Sequence, residues 1–187
     1  MRLSDKDIEF WLDSGLLKIF PRPESHLING ATVDIRLGNR FRVFRSNENK
    51  IINLGNDEQN IKDILEKTMS PEIFLSKTDY FFLKPSGFAL AVTEEKISMP
   101  NTLVGWLDGR SSLGRLGLMV HATAHRIDPG WEGKIVLELF NSGKAVLVLQ
   151  PGMYIGAISF EILSSMSIRP YNVRLGTKYL QQDSIIV

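Results

Sequence analysis

Turn-forming clusters chop this chain into short apolar segments, and that punctuation limits its possible folds more than any other feature. Pro85-Ser86-Gly87, Asp128-Pro129-Gly130, Asn141-Ser142-Gly143 and Pro151-Gly152 each combine residues that tighten or reverse the backbone. Around them lie candidate strands at residues 31–37, 41–44, 88–92, 103–107, 118–126, 134–141, 145–149 and 154–162. Residues 31–37 show the two-residue period openly: Val33, Ile35 and Leu37 face one way, Thr32, Asp34 and Arg36 the other. Many short strands with frequent turns predict a mainly β domain, a sandwich or a barrel. Helical spacing is confined to two places. Ser4 and Asp7 frame a capping box before Ile8, Trp11 and Leu12, and Gly15 offers a stop, which predicts a helix over 5–14. Ile61, Ile64 and Leu65 form one stripe within 60–68.

The 187 residues suit one domain, and with 43% apolar residues the chain can bury a sizeable core. No linker or internal repeat divides it; the stretch 171–187 is polar and aperiodic and reads as an arm or lid. Lys and Arg number 22 against 21 Asp and Glu, a net charge of +1. That balance argues against nonspecific nucleic-acid binding, which needs a broad basic surface, so any basic site is local. Cysteine is absent, excluding disulfides and thiolate zinc sites. The longest apolar runs, 87–92 and 153–158, are six residues each, whereas a membrane helix needs about 20. The start turns acidic at Asp5 and has no signal-peptide core. A soluble, cytoplasmic protein without a membrane partner is the expectation.

Chemistry concentrates in one half of the chain. Gly109-Arg110-Ser111-Ser112-Leu113-Gly114-Arg115 sets two guanidiniums and two hydroxyls among glycines that admit close backbone approach. Arginine forks match phosphate oxygens, so the loop suits a polyphosphate, although it lacks the Gly-Lys-Ser/Thr ending of a Walker A loop. A charged turn between strands is the plainer reading. His121 and His125 stand four apart but lack the Glu of a His-Glu-x-x-His zinc motif, and on a strand both would share one face with Thr123. Glu138 shares a strand face with Val136 and Phe140. It is therefore either a rim carboxylate or one held in a semi-apolar pocket and readied for proton transfer. Asp128 precedes Pro-Gly and is an ordinary turn former by itself. The Arg loop, Arg126, Asp128 and Glu138 fall within about thirty residues and are expected to converge at one end of a sheet.

Taken together, these segments resemble the dCTP deaminases of the trimeric dUTPase-like superfamily. The resemblance rests on Ile28-Asn29-Gly30-Ala31-Thr32-Val33-Asp34-Ile35-Arg36-Leu37-Gly38, on the long pattern from Trp106 to Gly133, and on Glu138-Leu139-Phe140-Asn141-Ser142-Gly143 and Arg169-Pro170-Tyr171-Asn172. It runs from residue 1 to about 182. It implies a distorted β-barrel (a β-clip) and a homotrimer with sites at subunit interfaces. It also implies hydrolysis of dCTP to dUTP and ammonia to supply thymidylate synthesis. Mg²⁺ is expected with the triphosphate, no zinc is expected, and dTTP is a possible inhibitor. Residue by residue, it implies that Glu138 is the general acid/base and that Ser111, the Ala124 carbonyl and Arg126 surround the attacking water. Arg110, Ser111, Ser112, Leu113, Gly114 and Arg115 match the triphosphate contacts, Asp128 the partner of the deoxyribose 3′-hydroxyl, and Val136 and Leu137 the backbone beside the base. Tyr171, Lys178 and Gln182 match residues of the closing tail. A plain dUTPase fits poorly, because Gly130-Trp131 stands where Asp-Tyr is usual and the Gly-rich phosphate motif is missing. Two alternatives stay open: a bifunctional enzyme that goes on to dUMP and pyrophosphate, and a catalytically silent nucleotide-binding regulator.

Overall fold

A computed structural model describes residues 1–45, 51–52, 61–174, 179 and 181–186. In chain order its elements are α1 (Asp5–Asp13), β1 (Lys18–Phe20), a 3₁₀ turn (Ser25–Leu27), β2 (Ile28–Asn29), β3 (Thr32–Val43) and α2 (Ile61–Thr68). Then follow β4 (Ile73–Phe74), β5 (Phe81–Leu83), β6 (Phe88–Ser98), β7 (Leu103–Gly109), α3 (Ser111–Gly114), β8 (Leu118–Met119) and β9 (Arg126–Ile127). β10 (Glu132–Asn141), β11 (Leu147–Leu149) and β12 (Tyr154–Ile162) complete them. The fold is mainly β, as the punctuation predicts: one strongly curled, half-barrel sheet carries the chain. Its strands run in the order β8-β10-β6-β3-β12-β7-β9, while β1 pairs with β6, β2 and β4 pair with β3, and β5 and β11 form a separate ribbon.

Alternation explains the core. Val33, Ile35, Leu37 and Phe41 of β3, Leu137 and Leu139 of β10, and Ile155, Ile158 and Phe160 of β12 are fully buried inside the curl. The curl is sharpened where β3 slips register against β6 between Leu37 and Phe41. Gly38 sits at that slip with the Val92 and Thr93 carbonyls where a Cβ would need to be, so no larger residue fits. Beside it Glu95, buried on β6, takes the Arg36 Nε at 2.7 Å and the Arg36 backbone N–H at 2.9 Å. This hydrogen-bonded pairing holds Arg36 more firmly protonated than usual. The N-terminal helix forms as its cap dictates. Ser4 and Asp7 make the reciprocal capping box, Gly15 takes a positive φ of 70° just past the end, and Ile8 and Leu12 face the core.

Two expectations need correction. The strands expected over 31–37 and 41–44 are not separate but merge into the single β3, Thr32–Val43. The strand expected over 118–126 exists only at its ends. β8 pairs with β10, β9 pairs with β7, and residues 120–125 between them are irregular. The segment changes partner across the curl, and alternation cannot report which strand a segment hydrogen-bonds to. The second helix covers 61–68; Asn60, its expected first residue, lies outside the described residues.

Residues 181–186 lie against the body. Gln182 forms a parallel bridge with Gly133, the Lys134 N–H donates to the Gln182 carbonyl at 2.7 Å, and the Gln181 N–H donates to the Glu132 carbonyl at 2.8 Å. Ile185 is buried with Met69, Leu90 and Val92. Among the described residues no helix is long and apolar enough to cross a membrane.

Candidate active site

β10 carries Glu138 on its half-buried face between Val136 and Phe140, while Leu137 and Leu139 point into the core. The strand bulges against β6 between Lys134 and Val136, which turns that face toward a cavity of about 750 Å³. Sites for small molecules commonly have this size. Glu138, Ala124, Arg126, Asp128, Val136, Tyr171 and Gln182 all line it. The Glu138 Oε2 accepts the Ala122 backbone N–H at 2.8 Å. Glu138 is half-buried and lines this cavity.

The irregular 120–125 segment forms one wall. Its backbone groups do not join a ladder but split their bonds: the Val120 carbonyl accepts the Glu138 N–H at 3.0 Å, and the His125 carbonyl accepts the Leu107 N–H at 2.8 Å. Because there is no strand here, the two histidines do not share a strand face. Their rings instead stack with centroids 5.4 Å apart, and His125 lies 5.4 Å from Trp106. The His121 Nδ1 is shielded from water and has no hydrogen-bond partner. His121, Thr123, His125 and Trp106 therefore line the cavity as well. Strand periodicity misassigns the first three, and nothing in the sequence around Trp106 announces its role.

The rest of the lining includes charged and aromatic groups. Asp128, in its Pro-Gly turn, lies 2.8 Å from the Arg126 Nε and 3.7 Å from the Arg174 Nη1. Tyr171 packs on Trp131 with ring centroids 5.0 Å apart, and the Arg174 guanidinium lies over the Tyr171 ring. Tyr179 donates its backbone N–H to the Tyr171 hydroxyl at 3.1 Å. Burial, with Tyr171 close by, raises the pKa of the Tyr179 phenol. Gln182 is buried, its side-chain Nε2 donating to the Ile185 carbonyl at 3.3 Å. Lys178 lies outside the described residues.

The Arg loop is placed elsewhere. Ser111–Gly114 is one short helical turn, α3, with Arg110 at its N-cap. Ser111, Ser112, Gly114 and Arg115 are exposed, and Leu113 packs half-buried on the core. None of the six residues Arg110 to Arg115 lines the cavity that holds Glu138. The convergence expected from sequence is thus realised for Arg126, Asp128 and Glu138 but not, within one chain, for the loop. Arg110 is engaged by its own chain: its Nη1 stands 2.8 Å from an Asp34 carboxylate oxygen, and its guanidinium lies 5.5 Å from the Tyr154 ring centre. Among the described residues no cluster of three or more His, Asp or Glu side chains is arranged to hold a metal.

Comparison with known proteins gives these features a context. A family model described as dCTP deaminase-like matches residues 2–163. A dCTP deaminase from Pectobacterium atrosepticum is 58% identical over 186 residues, spanning 100% of this chain and 96% of the relative. The crystal structure of a 2′-deoxycytidine 5′-triphosphate deaminase from Agrobacterium tumefaciens superposes with a TM-score of 0.65 over 86% of the chain. At 21% identity that match speaks for the fold, and the chain spans 48% of that longer protein.

Proposed function

The chain belongs to the dCTP deaminase-like family, and from that membership we propose that it hydrolyses dCTP to dUTP and ammonia. The observation that carries the proposal is the placement of Glu138 in a cavity beside Ala124 and Arg126, with one carboxylate oxygen tied to the Ala122 N–H. Hydrolytic deamination needs a water to attack C4 of cytosine, a proton to reach N3, and the amine to leave as ammonia. A single carboxylate that takes the water proton and returns it to the base serves these steps in turn. Glu138 takes that role. The backbone carbonyl of Ala124 holds the water or the departing amine, and the Arg126 cation stabilises negative charge that develops during attack. Val136 and Leu137 present backbone to the base, and Asp128 accepts the 3′-hydroxyl after exchanging part of its pairing with Arg126 and Arg174.

The triphosphate, entering with Mg²⁺, is assigned to Arg110, Ser111, Ser112, Leu113, Gly114 and Arg115, and Ser111 also orients the water. These residues do not line the Glu138 cavity of their own chain. Their contribution is therefore assigned to a neighbouring copy, in a homotrimer whose sites lie between subunits. Residues 171–187, including Tyr171, Lys178 and Gln182, act as the lid. No zinc is required for this chemistry, and the chain has no cysteine to supply a thiolate-bound one. The dUTP formed supplies dUMP and hence dTTP, whose binding in the same site would inhibit. A cytoplasmic location accords with that supply role.

Product analysis with dCTP and Mg²⁺ is the test. Ammonia with accumulating dUTP is the expected outcome. Ammonia with dUMP and pyrophosphate would replace it by the bifunctional enzyme, and bound but unreacted dCTP by the silent regulator.

A further inference from the structure

The segment Ile28 to Gly38 carries an acidic residue, Asp34, to which neither the fold nor the deamination chemistry assigns a task. Asp34 lies on β3 with its side chain only 18% exposed. β12 stands between β3 and β7, pairing Ala157 with Asp34 on one side and with Asp108 on the other. The sheet thereby sets Asp34 across from the end of β7, where Arg110 begins the phosphate loop. The Arg110 Nη1 stands 2.8 Å from the Asp34 Oδ2. That nitrogen is hidden from water and has no hydrogen bond, so Asp34 holds it by charge. Tyr154, also on β12, closes the other side with its ring.

We propose that Asp34 is a positioning residue: it and the Tyr154 ring hold the Arg110 guanidinium in one orientation, ready for the substrate's triphosphate. The inference rests on the assignment of Arg110 to phosphate binding. The physical case is pre-organisation. A free arginine must surrender rotamer entropy when it grips an anion, and one already held by a half-buried carboxylate and an aromatic face has surrendered it on folding. The contact is an ion pair without a directed hydrogen bond, so the guanidinium is steered and its donors are not consumed. Neutralising Asp34 frees the side chain and leaves a shielded cation without its counter-charge.

Asp34→Asn in the full-length oligomer tests this. The expected result is a KM for dCTP raised about tenfold with kcat within about twofold, the signature of lost binding that is equal in ground and transition states. Deoxycytidine, which lacks phosphates, should be turned over by variant and parent with the same kcat/KM. In a cycle with Arg110→Ala the second change should add little, because both act through one group. An unchanged KM for dCTP, an equal loss with deoxycytidine, or fully additive effects would overturn the proposal. If the parent protein does not deaminate dCTP, the functional reading fails, and calorimetry with inorganic tripolyphosphate decides on Asp34 separately. Weaker binding by Asp34→Asn supports it and equal binding overturns it. Should the variant not fold, nitrogen-15 NMR of the unaltered protein takes its place. The Arg110 Nη protons, assigned by their loss in Arg110→Lys, should show slow guanidinium rotation, and averaged signals would sink the idea.

Discussion

At Glu138, one carboxylate oxygen accepts the Ala122 N–H. Glu138→Gln keeps the shape and most of that contact but removes the proton acceptor. Turnover should fall by at least about a thousandfold, while dCTP affinity measured by calorimetry changes by less than about threefold. Deamination at the parent rate would end the acid–base assignment. Tyr179 offers a second test at this scale. Its phenol has a pKa above the usual 10.0 because burial disfavours the phenolate. The folded chain therefore keeps a proton that the unfolded chain has lost, so Tyr179 contributes full stability below pH 10 and loses it as pH rises through the folded value. Alkaline titration followed by tyrosinate absorbance should show a late component that disappears in Tyr179→Phe. Spacing alone showed that Arg126, Asp128 and Glu138 fall close together in the chain; their roles came from the family resemblance. Thr123 and the two histidines were misread, because a strand period was imposed on a segment whose backbone bonds go to two different strands.

The element that most depends on close approach is β10. Gly133 has φ of 145°, and a Cβ there would stand 2.7 Å from the Gln182 backbone nitrogen and 2.8 Å from its carbonyl oxygen. Gly133→Ala should therefore push residues 181–186 off the strand while sparing the buried β-sheet core. Hydrogen exchange at the Lys134 and Gln181 amides, both bonded across this junction, should speed up by at least about tenfold, since local opening then replaces docking. The KM for dCTP should rise with it if the tail closes the site. Unaltered exchange would mean that the tail is held elsewhere, for instance by the Glu72 carboxylate that accepts the Ile185 N–H at 2.9 Å. β12 could be bounded from pattern, because Pro151-Gly152 marks its start and a largely apolar run fills it. β4 and β5, at two and three residues, could not; so short a run carries no measurable period.

For the whole molecule, the separation of the Arg loop from the Glu138 cavity is the organising fact. If neighbouring copies complete each other's sites, two dead variants should rescue one another. Mixed oligomers of Ser111→Ala and Glu138→Gln, reassembled in equal amounts, should recover about one quarter of parent activity, the chance that an interface joins one intact half to the other. No recovery from verified mixed oligomers would place both residues in one chain's site.

What the amino-acid order by itself determined was local: a capped first helix, turn positions, the alternating faces of residues 32–37, and a loop of arginines, hydroxyls and glycines whose chemistry suits a polyphosphate. Each follows from interactions within a few residues or from a strict two-residue period. The tertiary structure decided which strands pair across the curl, and so why residues 120–125 leave the sheet. It also set Asp34 against Arg110, and put Glu138 and the Arg110–Arg115 loop in different places on the chain. Those outcomes depend on contacts between residues tens of positions apart, where hydrogen bonding is indifferent to side-chain identity and only the closing of the whole sheet selects one partner over another.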